Sequence, residues 1–165
     1  MCTKQVDIRN ERQDGKMRVT QEADYAIRIC LILDSYAKKM GASEIAEVAC
    51  ITPKEALKVL RKLNEAGCVR SYKGMRGGYE MARHGGDITV LEIIEVMDGP
   101  ILISKCLDCD HRCSKNPCKT DCNMHIAFGA INRILRDNLG TITVKTLHDK
   151  SLSASDIADI INKNY

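Results

Sequence analysis

The stretch TPKEALKVLRKLNEAGCVRSYKGMRGGYEM, residues 52–81, decides the fold. Thr52 can cap a helix, Pro53 suits its first position, and Glu55 stands where a capping-box carboxylate reaches back. Leu57, Leu60 and Leu63 recur at helical spacing and are expected to face inward. Gly67 is a natural stop. Two short β-prone runs then flank a glycine-rich turn: Val69-Arg70-Ser71-Tyr72 and Tyr79-Glu80-Met81. That pattern predicts a hairpin. Upstream, Ser43 can cap a short helix over residues 43–49 with Ile45 and Val48 inward. Two short helices joined by about three residues read as a helix-turn-helix, and a hairpin directly after the second is a wing.

Working outward, residues 1–16 are polar and charged with no apolar period, which predicts a disordered extension. Thr20 should cap a helix carrying Ala23, Ala26, Ile27, Cys30 and Leu31 inward, ending near Lys39. Thr89-Val90-Leu91-Glu92 reads as a second capping box, opening a helix with Val90, Ile93, Ile94 and Met97 inward and stopped by Gly99-Pro100. A cysteine-rich loop follows over residues 104–120. A long amphipathic helix then spans about 121–138, with Ile126, Ala127, Ala130, Ile131, Ile134 and Leu135 on one stripe. A short helix begins near Val144, and the tail after Ser151 gives weak signals, with a turn or two around residues 157–161.

The chain has 165 residues, 44% of them apolar, enough for a buried core. No apolar run approaches the ~20 residues of a membrane span. The polar N-terminus lacks the apolar segment of a secretory signal, so a cytoplasmic protein is expected. With no Trp and a single Phe, stacking platforms for single-stranded nucleic acid are not expected. Net charge is only +3, but residues 52–76 hold seven basic side chains against two acidic ones, a local +5. Such an excess suits phosphate contacts on double-stranded DNA. Lys54, Lys58 and Arg61 on the second helix and Lys73 and Arg76 at the hairpin tip are the candidate contacts. A merely solvated basic face is the competing reading of the charges alone.

Five of the nine cysteines, Cys106, Cys109, Cys113, Cys118 and Cys122, fall in one 17-residue window, with His125 three positions after the last. Thiolates so spaced can converge on an iron–sulfur cluster, on zinc, or on each other as a reversible disulfide switch. Lys105, Arg112, Lys115 and Lys119 favour thiolates there. Cys30, Cys50 and Cys68 are expected as small core residues, and Cys2 as incidental. No phosphate-binding glycine loop or Ser/His/Asp arrangement supports an enzyme.

With wing and cysteine loop both in place, the sequence resembles the bacterial winged-helix repressors that include the iron–sulfur cluster regulator, the nitric-oxide-sensing repressor and the cysteine-metabolism repressor. MRVTQEADYAIR matches the opening of that family, GCVRSYKGMRGGYEMA its wing and ITVLEIIEVMDGP the helix after it. The resemblance implies a homodimer held by the long helix and a [2Fe-2S] or [4Fe-4S] cluster, with zinc as the alternative. It implies Cys106 as first ligand, Cys122 as last and Cys113 between them, with Cys109 and Cys118 as rivals for the middle place. Asp24, from the partner subunit, and His125 are rival fourth ligands. The expected architecture is mainly α with a small β-hairpin, a winged helix-turn-helix plus a long dimerisation helix. It divides into an extension (1–16), a DNA-binding domain (17–100), a cluster-binding loop (101–120), the dimerisation helix with its following short helix (121–150) and a tail (151–165).

Overall fold

The computed structural model describes residues 18–74, 77–114 and 121–162. The expected 1–16 extension, Arg76 and Cys118 lie outside them. In chain order the elements are α1 (Gln21–Tyr36), α2 (Ala42–Ala49), α3 (Pro53–Glu65), β1 (Val69–Tyr72), β2 (Gly78–Met81), α4 (Val90–Asp98), α5 (Asn123–Thr141), α6 (Val144–His148) and α7 (Ala154–Asn162). Short 3₁₀ turns at Gly85–Asp87 and Lys105–Leu107 precede α4 and interrupt the cysteine loop. The mainly helical class with one antiparallel hairpin is as expected from the sequence.

Local chemistry sets the element ends. The Thr20 hydroxyl accepts the Ala23 N–H at α1. The full capping box forms at α3: Thr52 Oγ accepts the Glu55 N–H at 3.2 Å while the Glu55 carboxylate accepts the Thr52 N–H at 2.9 Å. Gly67 follows the α3 cap at φ 73, the left-handed conformation that ends a helix cheaply. The second box is only half built. Thr89 accepts the Glu92 N–H, but the Glu92 carboxylate pairs with Arg83.

α1 stops at Tyr36 rather than near Lys39 because Ala37 turns left-handed at φ 46 and Met40 pairs with Tyr79 of β2. Its most buried stripe includes Ile29 and Leu33, with Ile27 and Leu31 packed half-buried at the edge. α2 starts one residue early, with Gly41 and not Ser43 at its cap. Val48 and Leu57 were expected inward but are 42% and 49% exposed. Leu57 stands about 100° around α3 from Ala56, which is buried, so it falls on the shoulder facing solvent. Cys30 and Cys68 are core residues, but Cys50 is exposed, because it is the left-handed residue ending α2 at φ 56. α5 runs 123–141, later than expected at both ends, and the weakly signalled tail forms α7.

The core lies among α1–α4 and β1. Ile29, Leu33, Ile45, Leu60, Leu63 and Ile93 are each sealed from water, contributing about 1.5–3 kcal/mol apiece by transfer alone. The wing is pinned to it: Tyr79 and Met40 exchange backbone hydrogen bonds at 2.8 and 2.9 Å. A Cβ on Gly78, at φ 153, would stand 2.7 Å from the Met40 carbonyl oxygen, so only glycine lets the strands meet. After α5 the chain returns to the core. Thr143 bridges Thr89, and Val144 is fully buried.

Candidate nucleic-acid interface and metal loop

α2, the turn over residues 50–52 and α3 form the helix-turn-helix, with β1 and β2 as the wing beside it. Lys54, Lys58 and Arg61 share the exposed side of α3, and Lys73, just after the wing's first strand, is exposed. The cations differ in their ties. Among the described residues Lys54 and Lys73 carry no ion pair. Arg61 meets Glu65 at 2.9 Å across one helical turn. Lys58 and Lys62 both reach Glu22 on α1, Lys62 at 3.0 Å, and these two lysines hold the Glu22 carboxyl below the usual carboxylate range. Lys62 also donates to the Met97 carbonyl at 3.0 Å, so it ties α3 to α4. Exposed pairs of this kind are worth at most about 1 kcal/mol, so Lys58 and Arg61 can be drawn onto phosphate. Sequence reading missed Glu22, 36 residues before Lys58. It also missed Lys39, whose ammonium lies 4.4 Å from the centroid of the Tyr72 ring at the turn end of β1 and adds a cation beside the wing.

The cysteine loop follows α4. Cys106, Cys113, Cys122 and His125 are half-buried, and Cys109 is exposed. Cys106 Sγ lies 3.2 Å from Ser104 Oγ. Cys122 sits at the cap position of α5 and His125 in its first turn. Among the described residues, the ligand atoms within 4.8 Å of one another are those of Asp108, Cys109 and Asp110, an exposed trio. Cys106, Cys113 and Cys122 form no such group. His125 Nδ1 is shielded from water and, among the described residues, has no hydrogen-bond partner. Asp24 is on the first turn of α1, paired with Arg28 at 2.7 Å. The Cys30 and Cys68 thiols are pushed up by burial, which keeps them protonated and apart from metal chemistry.

Ser35 and His148 touch at 2.8 Å, but Ser35 gives its proton to the Leu31 carbonyl at 2.6 Å, so this is no nucleophile–base pair. Among the described residues no helix is long and apolar enough to cross a membrane.

The profile of the Rrf2 family, described as an iron-dependent transcriptional regulator, matches residues 19–150. A protein of Aquifex aeolicus (strain VF5) described as an HTH-type transcriptional regulator is 38% identical over 129 residues, 73% of this chain and 87% of that protein. One of Mycobacterium tuberculosis (strain ATCC 25618 / H37Rv) is 32% identical over 87 residues, 52% of this chain; the match spans 54%, about half, of that relative's length. Among solved structures, T. potens IscR shares the fold with a TM-score of 0.64 at 19% identity, over 85% of this chain and 94% of that one.

Proposed function

Because the chain belongs to the Rrf2 family of DNA-binding transcriptional regulators, we propose that it is a homodimeric, cytoplasmic repressor whose promoter affinity is set by an iron–sulfur cluster held in the 101–122 loop. The relatives and the fold are those of regulators rather than enzymes. The observation that carries the metal reading is the donor set at the start of α5. Half-buried thiols at Cys106, Cys113 and Cys122 stand in the same loop and helix start as His125, whose Nδ1 is dry and, among the described residues, unpartnered. A buried unpaired nitrogen costs about 1–3 kcal/mol, and ligation would remove that cost. Cys106, Cys113 and Cys122 would hold the cluster, with His125 or Asp24 of the partner subunit completing it. Such a cluster supplies a centre that oxidants and nitric oxide alter.

The chain's own residues do the rest. Lys54 and Lys58 on α3 would meet the major groove and its phosphates, and Lys73 and Arg76 the neighbouring minor groove. Met124, Ile126, Ile131 and Ile134 leave an apolar face of α5 open, each 41–56% exposed. A second copy would cover it and set two α3 helices about 34 Å apart, one turn of DNA.

Three thiols with one imidazole also suit tetrahedral zinc, and that donor set sustains zinc as the second reading. Anaerobic purification of the full chain separates the two. Visible absorbance with iron and sulfide in near-equal amounts is expected. A colourless protein holding only zinc would overturn the cluster.

A further inference from the structure

Asn132 is the buried polar side chain among the described residues, 7% exposed, in the middle of a helix whose neighbours are largely wet. Its amide oxygen accepts the Ile103 N–H and its amide nitrogen donates to the Ile101 carbonyl, both at 3.0 Å. The peptide groups fix which way the amide points, because one offers a donor and the other an acceptor. One helical turn on, Arg136 forks onto Glu95 of α4. Glu95 Oε1 also accepts the Ile101 N–H at 3.2 Å. Three main-chain groups of residues 101–103 are therefore satisfied by side chains of α4 and α5. Only three residues further, Cys106 opens the loop, and the intervening turn is short: Leu107 N–H bonds Ser104 O at 3.0 Å. Leu107 in turn lies against Gly129 of α5, where an added Cβ would sit 3.7 Å from its methyl group.

We propose that Asn132, backed by the Glu95–Arg136 pair, is a positioning residue that holds Cys106 in register with Cys122 and His125 and couples the loop to α4. Asn132 stands ten residues from Cys122 on one rigid helix, so fixing the 101–103 segment to it fixes the distance between the two ends of the donor set. Glu95 carries the same restraint into α4, whose Ile93, Ile94 and Met97 are buried in the winged-helix core. A displacement of Cys106 is thereby passed to the DNA-binding half. The proposal rests on the metal reading for its regulatory consequence, but not for the clamp itself.

Full-length Asn132→Ala and Arg136→Met are compared with the wild type; the second variant changes a half-exposed side chain and so keeps the test alive if the first fails to fold. On metal-free protein, iodoacetamide labelling read by mass spectrometry should show Cys106 reacting at least about tenfold faster in Asn132→Ala, which removes both hydrogen bonds to residues 101 and 103. Cys109, beyond the clamp, should react as before. On anaerobically purified protein, the visible circular dichroism should change. The ratio of promoter affinities with and without iron should fall towards one, while metal-free affinity stays put. Unchanged Cys106 labelling in both variants would overturn the clamp. An equal rise at Cys106 and Cys109 would also overturn it, because that reports general loosening. If the wild type carries no iron and sulfide, the cluster reading falls and the labelling result still decides the clamp.

Discussion

Along α1, five side chains, Ala23, Ala26, Ile29, Cys30 and Leu33, are sealed from water; along α5, three residues longer, Asn132 is the one buried residue. The first helix is finished within one chain, wrapped by α2, α3, α4 and the wing. The second shows solvent an apolar face and turns polar groups inward, to Ile101, Ile103 and Glu95. The winged helix finds its burial within one chain, with Val144 of α6 closing its core. The loop and α5 hold their shape by hydrogen bonds and by whatever completes them, so that half is where a bound metal or a second copy can act on geometry.

Substitutions should separate the halves. Leu60→Ala, at a fully buried site, should cost about 2–5 kcal/mol in urea unfolding. Ile131→Glu, at a site 51% exposed, should scarcely alter the subunit's own fold. It should instead convert the proposed dimer to the 18.4 kDa monomer, with dimer affinity falling at least thirtyfold, or about 2 kcal/mol. If Ile131→Glu unfolds the subunit as Leu60→Ala does, the contrast is broken. Lys54→Ala should weaken promoter binding evenly across sequences and reduce the salt slope by about one, measured by fluorescence anisotropy at several ionic strengths. The smallest effect belongs to Glu22. Its carboxyl is held low by Lys58 and Lys62, so it stabilises the fold above the ordinary carboxylate range. That contribution is lost as pH falls through the depressed value. Glu22→Gln should therefore be less stable than wild type near neutrality, with the gap closing in acid unfolding curves.

The winged helix was legible because its signals are local. Thr52 and Glu55 are three residues apart, Gly67 ends α3 by its own conformation, and the hairpin turn needs only its own glycines. The errors came where distant groups decide. Glu92 left its capping box for Arg83, Met40 ended α1 early by pairing with Tyr79, and Glu22 on α1 claimed Lys58, 36 residues on. The cysteine loop was legible as a donor set, because five thiols in 17 residues are conspicuous. Its anchoring was not, since Asn132 reads as an ordinary polar helix residue until Ile101 and Ile103, about 30 positions earlier, are seen against it. The stripe through Ile126, Ile131 and Ile134 was correctly periodic, yet periodicity does not say whether its partner lies in the same chain.

Hydrogen–deuterium exchange on the full chain, purified anaerobically and measured before and after iron removal by a chelator, tests the difference between the halves most directly. Protection across residues 21–81 should be unchanged, and protection across 101–135 should fall, with a smaller fall across 90–98 carried by Glu95. Equal loss in both halves, or no change in 101–135, would contradict the account.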